Sequence, residues 1–327
     1  MHTIDVIVPC YNESELVHVF YRETTKITNK IKNYSFRFLF IDDGSKDDTL
    51  QQLIKLASEH SDAKYISFSR NFGKEAGMYA GLKYSNADYV IIMDADLQHP
   101  PELIPKMVEG IEEGYDCVAA RRTDRKGEAR IRSFFSRQFY KIINKMTDKI
   151  ELVQGAVDYR IMSRQMVDAV LSLSESQRFS KGIFEWVGFH KKWLPYENVE
   201  RTIGTTKWSF KSLFKYAIDG ITAFSVAPLR MVTGFGFFIS LIAFIYIIVT
   251  LVQTLIFGIA VPGYVTTLSA VLFLGGIIEF SIGVVGEYLG HIYIETKNRP
   301  LFITRLTNIN DELSDEKSER IESYGKL

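Results

Sequence analysis

The chain has 327 residues with 39 basic and 39 acidic side chains, so its formal net charge is zero, and 46% of its residues are hydrophobic. A balanced charge argues against nucleic-acid binding, which needs a basic excess on one domain. The length allows one large soluble domain plus an additional segment. The two cysteines and six histidines show no metal-ligand spacing, so both cysteines are predicted to be buried free thiols.

Strands and helices alternate along the first hundred residues. Apolar and β-branched runs predict strands over 4–9, 36–41, 64–68 and 89–93, with helices over 13–31, 47–56 and 74–84 between them. The run Tyr89-Val90-Ile91-Ile92-Met93 is apolar without alternation, which is typical of a strand buried on both faces of a parallel sheet. We therefore predict an α/β fold, a doubly wound domain over residues 1–200.

Polar residues follow three of these strands. They are Tyr11-Asn12-Glu13, Asp42-Asp43-Gly44-Ser45 and Asp94-Ala95-Asp96. In open α/β sheets, ligands bind beyond the carboxyl ends of the strands. The sequence therefore predicts one binding site at that edge.

The aspartates Asp94 and Asp96 are the candidate metal ligands. On an extended backbone, side chains two residues apart point the same way, so both carboxylates and Gln98 are predicted to share one face. Such oxygen ligands suit Mg²⁺ or Mn²⁺ shared with substrate phosphates, and the ion would stabilise a diphosphate leaving group. A lone Asp-x-Asp is more often a surface feature or a cap, but here it follows a buried strand.

The second acidic pair is assigned to the nucleoside side of the site. One of Asp42 and Asp43 is predicted to accept hydrogen bonds from a base or ribose while the other caps the next helix; the alternative is that both only cap. Pro9, Tyr11 and Glu13 would form a wall of the same pocket, with Tyr11 stacking on a base.

Basic residues downstream are candidate phosphate ligands. The segment 121–137 is rich in arginine, and Arg122, Arg125 and Arg132 are favoured for phosphate over the alternative of a solvated loop. Asp158 is a candidate base or orienting carboxylate. Arg201 and Lys207 are candidates for a loop that closes over the diphosphate.

The C-terminal part of the chain has a different texture. Residues 201–228 contain a basic amphipathic helix, predicted to lie at a membrane surface rather than in a core. Residues 229–290 contain two apolar runs, over about 231–257 and 265–285, each long enough to cross a bilayer. Basic residues flank the pair, and the start of the chain lacks a signal peptide's apolar core. We therefore expect a multi-pass protein of the cytoplasmic membrane, with the N-terminal domain and the tail at 291–327 in the cytoplasm.

Many short motifs support a family assignment. They are Val8-Pro9-Cys10-Tyr11-Asn12-Glu13, Asp42-Asp43-Gly44-Ser45, Ser69-Arg70-Asn71-Phe72-Gly73-Lys74-Glu75, Asp94-Ala95-Asp96-Leu97-Gln98-His99-Pro100-Pro101, Arg178-Phe179, Trp186-Val187-Gly188-Phe189, Arg201 through Lys207-Trp208, Phe224-Ser225, Pro228-Leu229-Arg230, Glu287-Tyr288-Leu289-Gly290 and Arg299-Pro300. With these motifs, over residues 4–300, the chain resembles family 2 glycosyltransferases of the polyprenyl-phosphate type. Their members include bactoprenol glucosyltransferases and dolichol-phosphate mannose synthases.

The resemblance implies a GT-A fold and an inverting, metal-dependent hexosyl transfer from a nucleotide diphosphate-sugar to a polyprenyl phosphate. By this resemblance Asp94, Asp96 and Gln98 bind the metal and Arg122 and Arg132 the acceptor phosphate. The donor would contact Pro9, Tyr11, Glu13, Asp42, Asp43, Lys74, Asp94, Ala95, Arg201 and Lys207. Asp96, Asp158 and Arg201 are the predicted catalytic residues. One departure is Val157, where relatives often carry glycine.

We predict transfer of a hexose from UDP-glucose or UDP-N-acetylglucosamine to undecaprenyl phosphate. The lipid-linked sugar would then be used to glycosylate a cell-wall or surface polymer. Mannose from a GDP donor is an alternative. A processive synthase would need more membrane helices, and a non-catalytic scaffold would be expected to have lost the Asp-x-Asp pair. A homo-oligomer is compatible with the glycines of the hairpin.

Overall fold

The computed structural model describes residues 1–123, 144, 152–173, 175–176, 178–197, 225–257 and 263–309. The chain divides into two compact units. One contains Met1–Ala217 and Pro300–Leu327, and the other contains Ile218–Arg299.

The first unit has the predicted alternation of strands and helices. Its elements are β1 (His2–Cys10), α1 (Val17–Thr28), β2 (Tyr34–Asp42), α2 (Thr49–Glu59), β3 (Ala63–Phe68), α3 (Lys74–Tyr84), β4 (Tyr89–Ile92), a short 3-10 helix (Pro101–Leu103), α4 (Ile104–Glu112), β5 (Cys117–Arg122), β6 (Ala156–Ser163), α5 (Arg164–Ser172), α6 (Ser180–Trp186), β7 (Lys191–Tyr196) and β8 (Thr304–Thr307). The α/β class is confirmed. Cys10 and Cys117 are buried and free, as expected.

One mixed sheet organises this unit, with the strand order β7-β5-β6-β4-β1-β2-β3-β8. The four strands β4, β1, β2 and β3 are parallel. Strand β6 runs antiparallel to both β4 and β5, whereas β7 is parallel to β5. The carboxyl ends of β1, β2 and β4 and the first residues of β6 therefore meet at one edge.

Burial explains why β1 lies at the centre of the sheet. Ile4, Val6, Ile7 and Val8 have no exposed surface, because helices cover both faces of the strand. On one face, Phe20 of α1 meets the sheet near Phe40. A mostly apolar run, whose one acidic residue Asp5 is paired with Arg37 of β2, is thus the sequence signature of this strand buried on both faces.

Strand β8 was not predicted, because its residues were assigned to the tail at 291–327. It pairs antiparallel with β3, and the Ser69 amide donates to the Ile303 carbonyl at 2.9 Å. Phe302 stacks on Phe68 with ring centroids 5.0 Å apart. Residues after the apolar hairpin therefore complete the edge of the first unit's sheet.

Ending the chain after Arg299 is expected to destabilise the first unit. The variant loses the stacking of Phe302 and the edge pairing of β8, which together should contribute roughly 3 kcal/mol, or about 6–12 °C in apparent Tm. A chain that ends after Ile309 keeps both features and serves as the control. Thermal unfolding of the two proteins in detergent is the measurement, and equal Tm values would contradict a structural role for β8.

The second unit consists of two long helices, α7 (Ala227–Phe257) and α8 (Tyr264–Thr296). Both are long and apolar enough to cross a membrane, with candidate spans over Ala227–Tyr246 and Phe273–Thr296. Large apolar side chains such as Phe237 and Leu255 are exposed along them. The hydroxyl of Tyr288 on α8 donates to the carbonyl of Ser225, two residues before α7, at 2.7 Å. The amphipathic helix predicted within 201–228 lies outside the described residues, apart from 225–228.

Candidate active site

The residues predicted to share a site lie at the edge of the sheet where the parallel strands end. Because β6 is antiparallel to β4, its early residue Asp158 reaches the same edge. Since β5 is in turn antiparallel to β6, its last residue Arg122 also ends there. The topology thus brings together residues that are distant in sequence.

The loop after β1 forms one wall of this site. Asn12 adopts a left-handed conformation with φ of 54°, and its amide donates to Ser45 Oγ at 3.0 Å. This bond ties the loop after β1 to the loop after β2. Pro9, Tyr11 and Glu13 are partly exposed here.

Asp42 is buried and stabilises the turn after β2. Its carboxylate accepts hydrogen bonds from the Ser45 amide at 2.9 Å and from the Ser67 hydroxyl at 2.7 Å. The predicted cap of α2 by one of the two adjacent aspartates is wrong. Instead, Asp47 accepts from the amide of Thr49, the first residue of α2, at 3.1 Å.

Asp43 organises the start of α3. Its two carboxylate oxygens accept the amides of Phe72 at 2.6 Å and Gly73 at 2.9 Å. Burial raises the pKa of Asp43, although these two hydrogen bonds act in the opposite direction. Gly73 has φ of 97°, a conformation that glycine adopts without strain. Asp43 therefore sets the position of the next residue, Lys74.

Lys74 joins two carboxylates, one from the turn after β4 and one from β6. Its Nζ lies 2.7 Å and 2.9 Å from the two oxygens of Asp94, and 2.8 Å from Asp158 Oδ2. Burial alone would raise the pKa of Asp158, but the Lys74 ammonium more than offsets this and holds it far below its usual range. Burial would likewise lower the pKa of Lys74, and the two carboxylates raise it instead. All three groups are therefore charged at neutral pH.

The pair Asp94 and Asp96 lies in a turn rather than on extended backbone. Strand β4 ends at Ile92, residues 95 and 96 form a turn and Leu97 has φ of 56°, so the extended backbone predicted over Asp94–Gln98 is wrong. The backbone amide of Gln98 donates to Asp96 Oδ1 at 3.1 Å. The two carboxylates are thus placed by a turn held by its own hydrogen bonds.

The side chain of His99 holds this turn through one hydrogen bond and stacks on a neighbouring ring. It is buried and stacked on Tyr159, with ring centroids 5.1 Å apart, and its Nδ1 accepts the Asp94 amide at 3.2 Å. Burial lowers the pKa of His99, so the ring is neutral and can accept at Nδ1. The structural role predicted for this histidine agrees with these contacts.

The acidic turn suits a divalent ion that is shared with a substrate. Within the described part of the chain, no cluster of three or more His, Cys, Asp or Glu side chains could hold a metal by itself. Mg²⁺ and related ions are often bound by one or two carboxylates plus substrate phosphates, and two carboxylates are present here. The residues present therefore fit an ion that arrives with a diphosphate.

Of the three arginines predicted to bind the acceptor phosphate, the structure describes Arg122. Its Nε donates to the Tyr196 hydroxyl at 3.0 Å, and its amide donates to the Gly155 carbonyl at 2.9 Å. Arg125, Arg132, Arg201 and Lys207 lie outside the described residues.

The replacement of a family glycine by Val157 does not disturb the backbone. Val157 lies in the extended strand β6, and the left-handed residue is Gly155, with φ of 84°. A Cβ at Gly155 would lie 2.5 Å from the Arg122 carbonyl oxygen. The glycine that this turn requires is thus two residues earlier than the substituted position.

Glu75 is a site residue that the sequence analysis quoted only as part of a motif. It is partly exposed, next to Lys74, and it accepts hydrogen bonds from the hydroxyl and the amide of Ser180. Burial and the nearby Asp158 charge raise its pKa to about 7. An acidic residue next to a lysine at a helix start gives no sequence signal of burial, because the covering residue is more than a hundred positions away.

Comparison with known proteins agrees with this architecture. The profile "Glycosyl transferase family 2" matches residues 5–171, and the profile "GtrB C-terminal hairpin" matches residues 227–292. A Bacillus subtilis protein, provisionally named as a glycosyltransferase, is 50% identical over 97% of this chain and 95% of its own length. The SfII prophage-derived bactoprenol glucosyl transferase of Shigella flexneri is 42% identical over 92% of this chain and 97% of its own.

Solved structures give a more distant likeness. Mannosyl-3-phosphoglycerate synthase from Rubrobacter xylanophilus has a TM-score of 0.47 and 17% identity, over 70% of this chain and 74% of that chain. Glucosyl-3-phosphoglycerate synthase from Mycobacterium tuberculosis, crystallised with Mn²⁺ and uridine-diphosphate-glucose, has a TM-score of 0.43 and 17% identity, over 68% of this chain and 77% of that chain.

Proposed function

Since the chain belongs to glycosyl transferase family 2 and carries the GtrB C-terminal hairpin, we propose that it transfers glucose from UDP-glucose to a polyprenyl phosphate at the cytoplasmic face of a membrane. The observation that carries the proposal is the likeness to bactoprenol glucosyl transferases, which extends over 92% of the chain and so includes both the site and the hairpin. The lipid-linked glucose would serve the glycosylation of a surface polymer.

In this proposal Asp94, Asp96 and Gln98 hold a Mg²⁺ or Mn²⁺ ion between them and the donor diphosphate. Such an ion stabilises the negative charge that develops on the leaving nucleoside diphosphate. Tyr11 and Glu13 line the nucleoside side of the site. Arg201 and Lys207, which lie outside the described residues, are proposed to contact the diphosphate.

The acceptor needs little activation. A phosphate monoester is already anionic at neutral pH, so its oxygen can attack without a strong base, and catalysis depends mainly on in-line positioning. Asp158 is a weak proton acceptor because its pKa is held low by Lys74. We therefore assign Asp158 an orienting role rather than that of a base. Arg122, with Arg125 and Arg132, is proposed to receive the acceptor phosphate.

The hairpin provides access to the acceptor. Polyprenyl phosphates reside in membranes, and two helices long enough to cross a bilayer would hold the enzyme there. The basic flanks of the hairpin favour a cytoplasmic location for both ends of the chain.

A donor screen tests the proposal. The purified full-length protein is incubated in detergent with undecaprenyl phosphate, Mg²⁺ and one of UDP-glucose, UDP-N-acetylglucosamine or GDP-mannose, and the lipid products are analysed by mass spectrometry. We expect a hexosyl-phosphoryl lipid from UDP-glucose. A product formed only from another donor would overturn the sugar assignment, and no lipid product from any donor would overturn the acceptor assignment.

A further inference from the structure

The ammonium group of Lys74 links two carboxylates of the candidate site. One ammonium group contacts both oxygens of Asp94, at 2.7 Å and 2.9 Å, and the nearer oxygen of Asp158 at 2.8 Å. The Asp94 side chain is 29% exposed and that of Asp158 is 16% exposed, so neither carboxylate is fully solvated. Charges with little solvent around them must be paired to be tolerated.

The contacts of Lys74 place it on a candidate metal ligand. Both oxygens of Asp94 are engaged by the ammonium, and they are the same oxygens that a divalent ion would use. Two cations on one carboxylate repel each other strongly in a partly buried site. A divalent ion at Asp94 and the ammonium in its present position therefore exclude each other in large part.

We propose that Lys74 is a resident cation that competes with the divalent ion for Asp94 until the donor diphosphate draws its ammonium away. The inference rests on the proposed function, because it concerns the ion and the diphosphate assigned there. The diphosphate adds negative charge next to the cluster, which can pair with the displaced ammonium. Ion and nucleotide then bind synergistically, and the free enzyme holds the ion weakly.

Asp158 has a distinct part in this arrangement. It is the second anchor of the ammonium and lies on β6, away from the turn that carries Asp94. When the ion takes Asp94, Asp158 retains Lys74 within the site. Asp158 is therefore a positioning residue that keeps the ammonium in the site once the diphosphate has drawn it away from Asp94.

This view predicts opposite effects for the two partners of the ammonium. Lys74→Met removes the competing charge while keeping a side chain of similar length, so the affinity for Mn²⁺ without nucleotide should rise about tenfold. Asp158→Asn leaves the ammonium with Asp94 alone, so that affinity should fall. Removal of a charge near the ion shifts Mn²⁺ affinity in these directions by electrostatics alone, so competition is identified by the loss of the UDP enhancement in Lys74→Met.

The experiment measures Mn²⁺ binding by electron paramagnetic resonance on the full-length protein in detergent, with and without UDP. For the unaltered protein, UDP is expected to tighten Mn²⁺ binding about tenfold, and this enhancement should shrink in Lys74→Met. Lys83→Met, at the exposed far end of the same helix, is the matched control and should behave like the unaltered protein.

The outcomes separate this inference from the proposed function. If Lys74→Met binds Mn²⁺ without UDP no more tightly than the unaltered protein, competition by Lys74 is ruled out. If that variant fails to fold, Asp158→Asn decides, and unchanged or tighter Mn²⁺ binding in it overturns the inference. Absence of Mn²⁺ binding in every protein, even with UDP, overturns the proposed metal site together with the inference.

Discussion

Replacing Asp96 with asparagine is expected to reduce sugar transfer by at least about a thousandfold while leaving the fold intact. The loss follows from removing one of two carboxylates proposed to hold the ion that stabilises the leaving diphosphate, an effect of several kcal/mol. Asparagine keeps an oxygen that can accept the Gln98 amide, so the turn itself should survive. The measurement is the rate of transfer of labelled glucose to polyprenyl phosphate, together with the apparent Tm.

A matched control is Glu59→Gln, which removes a negative charge from the exposed end of α2. It should retain full activity and an unchanged Tm. If Asp96→Asn kept activity within about tenfold of the unaltered protein, Asp96 would not be a metal ligand. A lower Tm in Asp96→Asn would instead identify a structural role for the carboxylate.

Replacing Gly81 with alanine is expected to destabilise the protein by roughly 3 kcal/mol, even though alanine favours helices. A Cβ at Gly81 would lie 2.2 Å from the Cγ2 methyl of Ile7, a side chain with no exposed surface on the central strand. Neither the methyl nor the strand behind it has room to move. The helix α3 can therefore approach the sheet only because this position lacks a side chain.

The control for this prediction lies one turn away on the same helix. A Cβ at Gly77 would meet Pro9 at 3.4 Å, an ordinary contact, so Gly77→Ala should gain up to about 1 kcal/mol from helix propensity. Thermal unfolding should therefore show Gly81→Ala below the unaltered protein and Gly77→Ala at or above it. Two alanine variants with the same Tm would show that close packing on Ile7 is not the reason for the glycine.

The order of most strands and helices along the chain could be predicted from the sequence. Strands β1 to β4 and helix α3 begin and end within a few residues of their predicted positions. These elements are encoded locally, because burial on both faces leaves an uninterrupted apolar run and a helix leaves a periodic one. The two hairpin helices were likewise visible, since a bilayer requires about twenty consecutive apolar residues.

Two features could not be predicted from the sequence, because each depends on contacts that no local residue pattern encodes. The turn at Asp94 depends on the buried ring of His99 and on Leu97 with a positive φ, neither of which follows from an Asp-x-Asp spacing. Strand β8 forms only because β3 offers it an unpaired edge. Neither the four-residue segment Thr304–Thr307 nor the polar tail that follows it predicts such pairing.

By itself, the sequence determined the α/β class, the hairpin and the acidic groups at the strand ends, because each has a local chemical pattern. Only the tertiary structure decided what those groups contact. The reversed direction of β6 brings Asp158 to Asp94, and the packing of α3 on β1 brings Lys74 between them. Charges so close together must be paired. Lys74 pairs with Asp94, 20 positions away along the chain, and with Asp158, 84 positions away, so this pairing is a property of the fold rather than of any one segment.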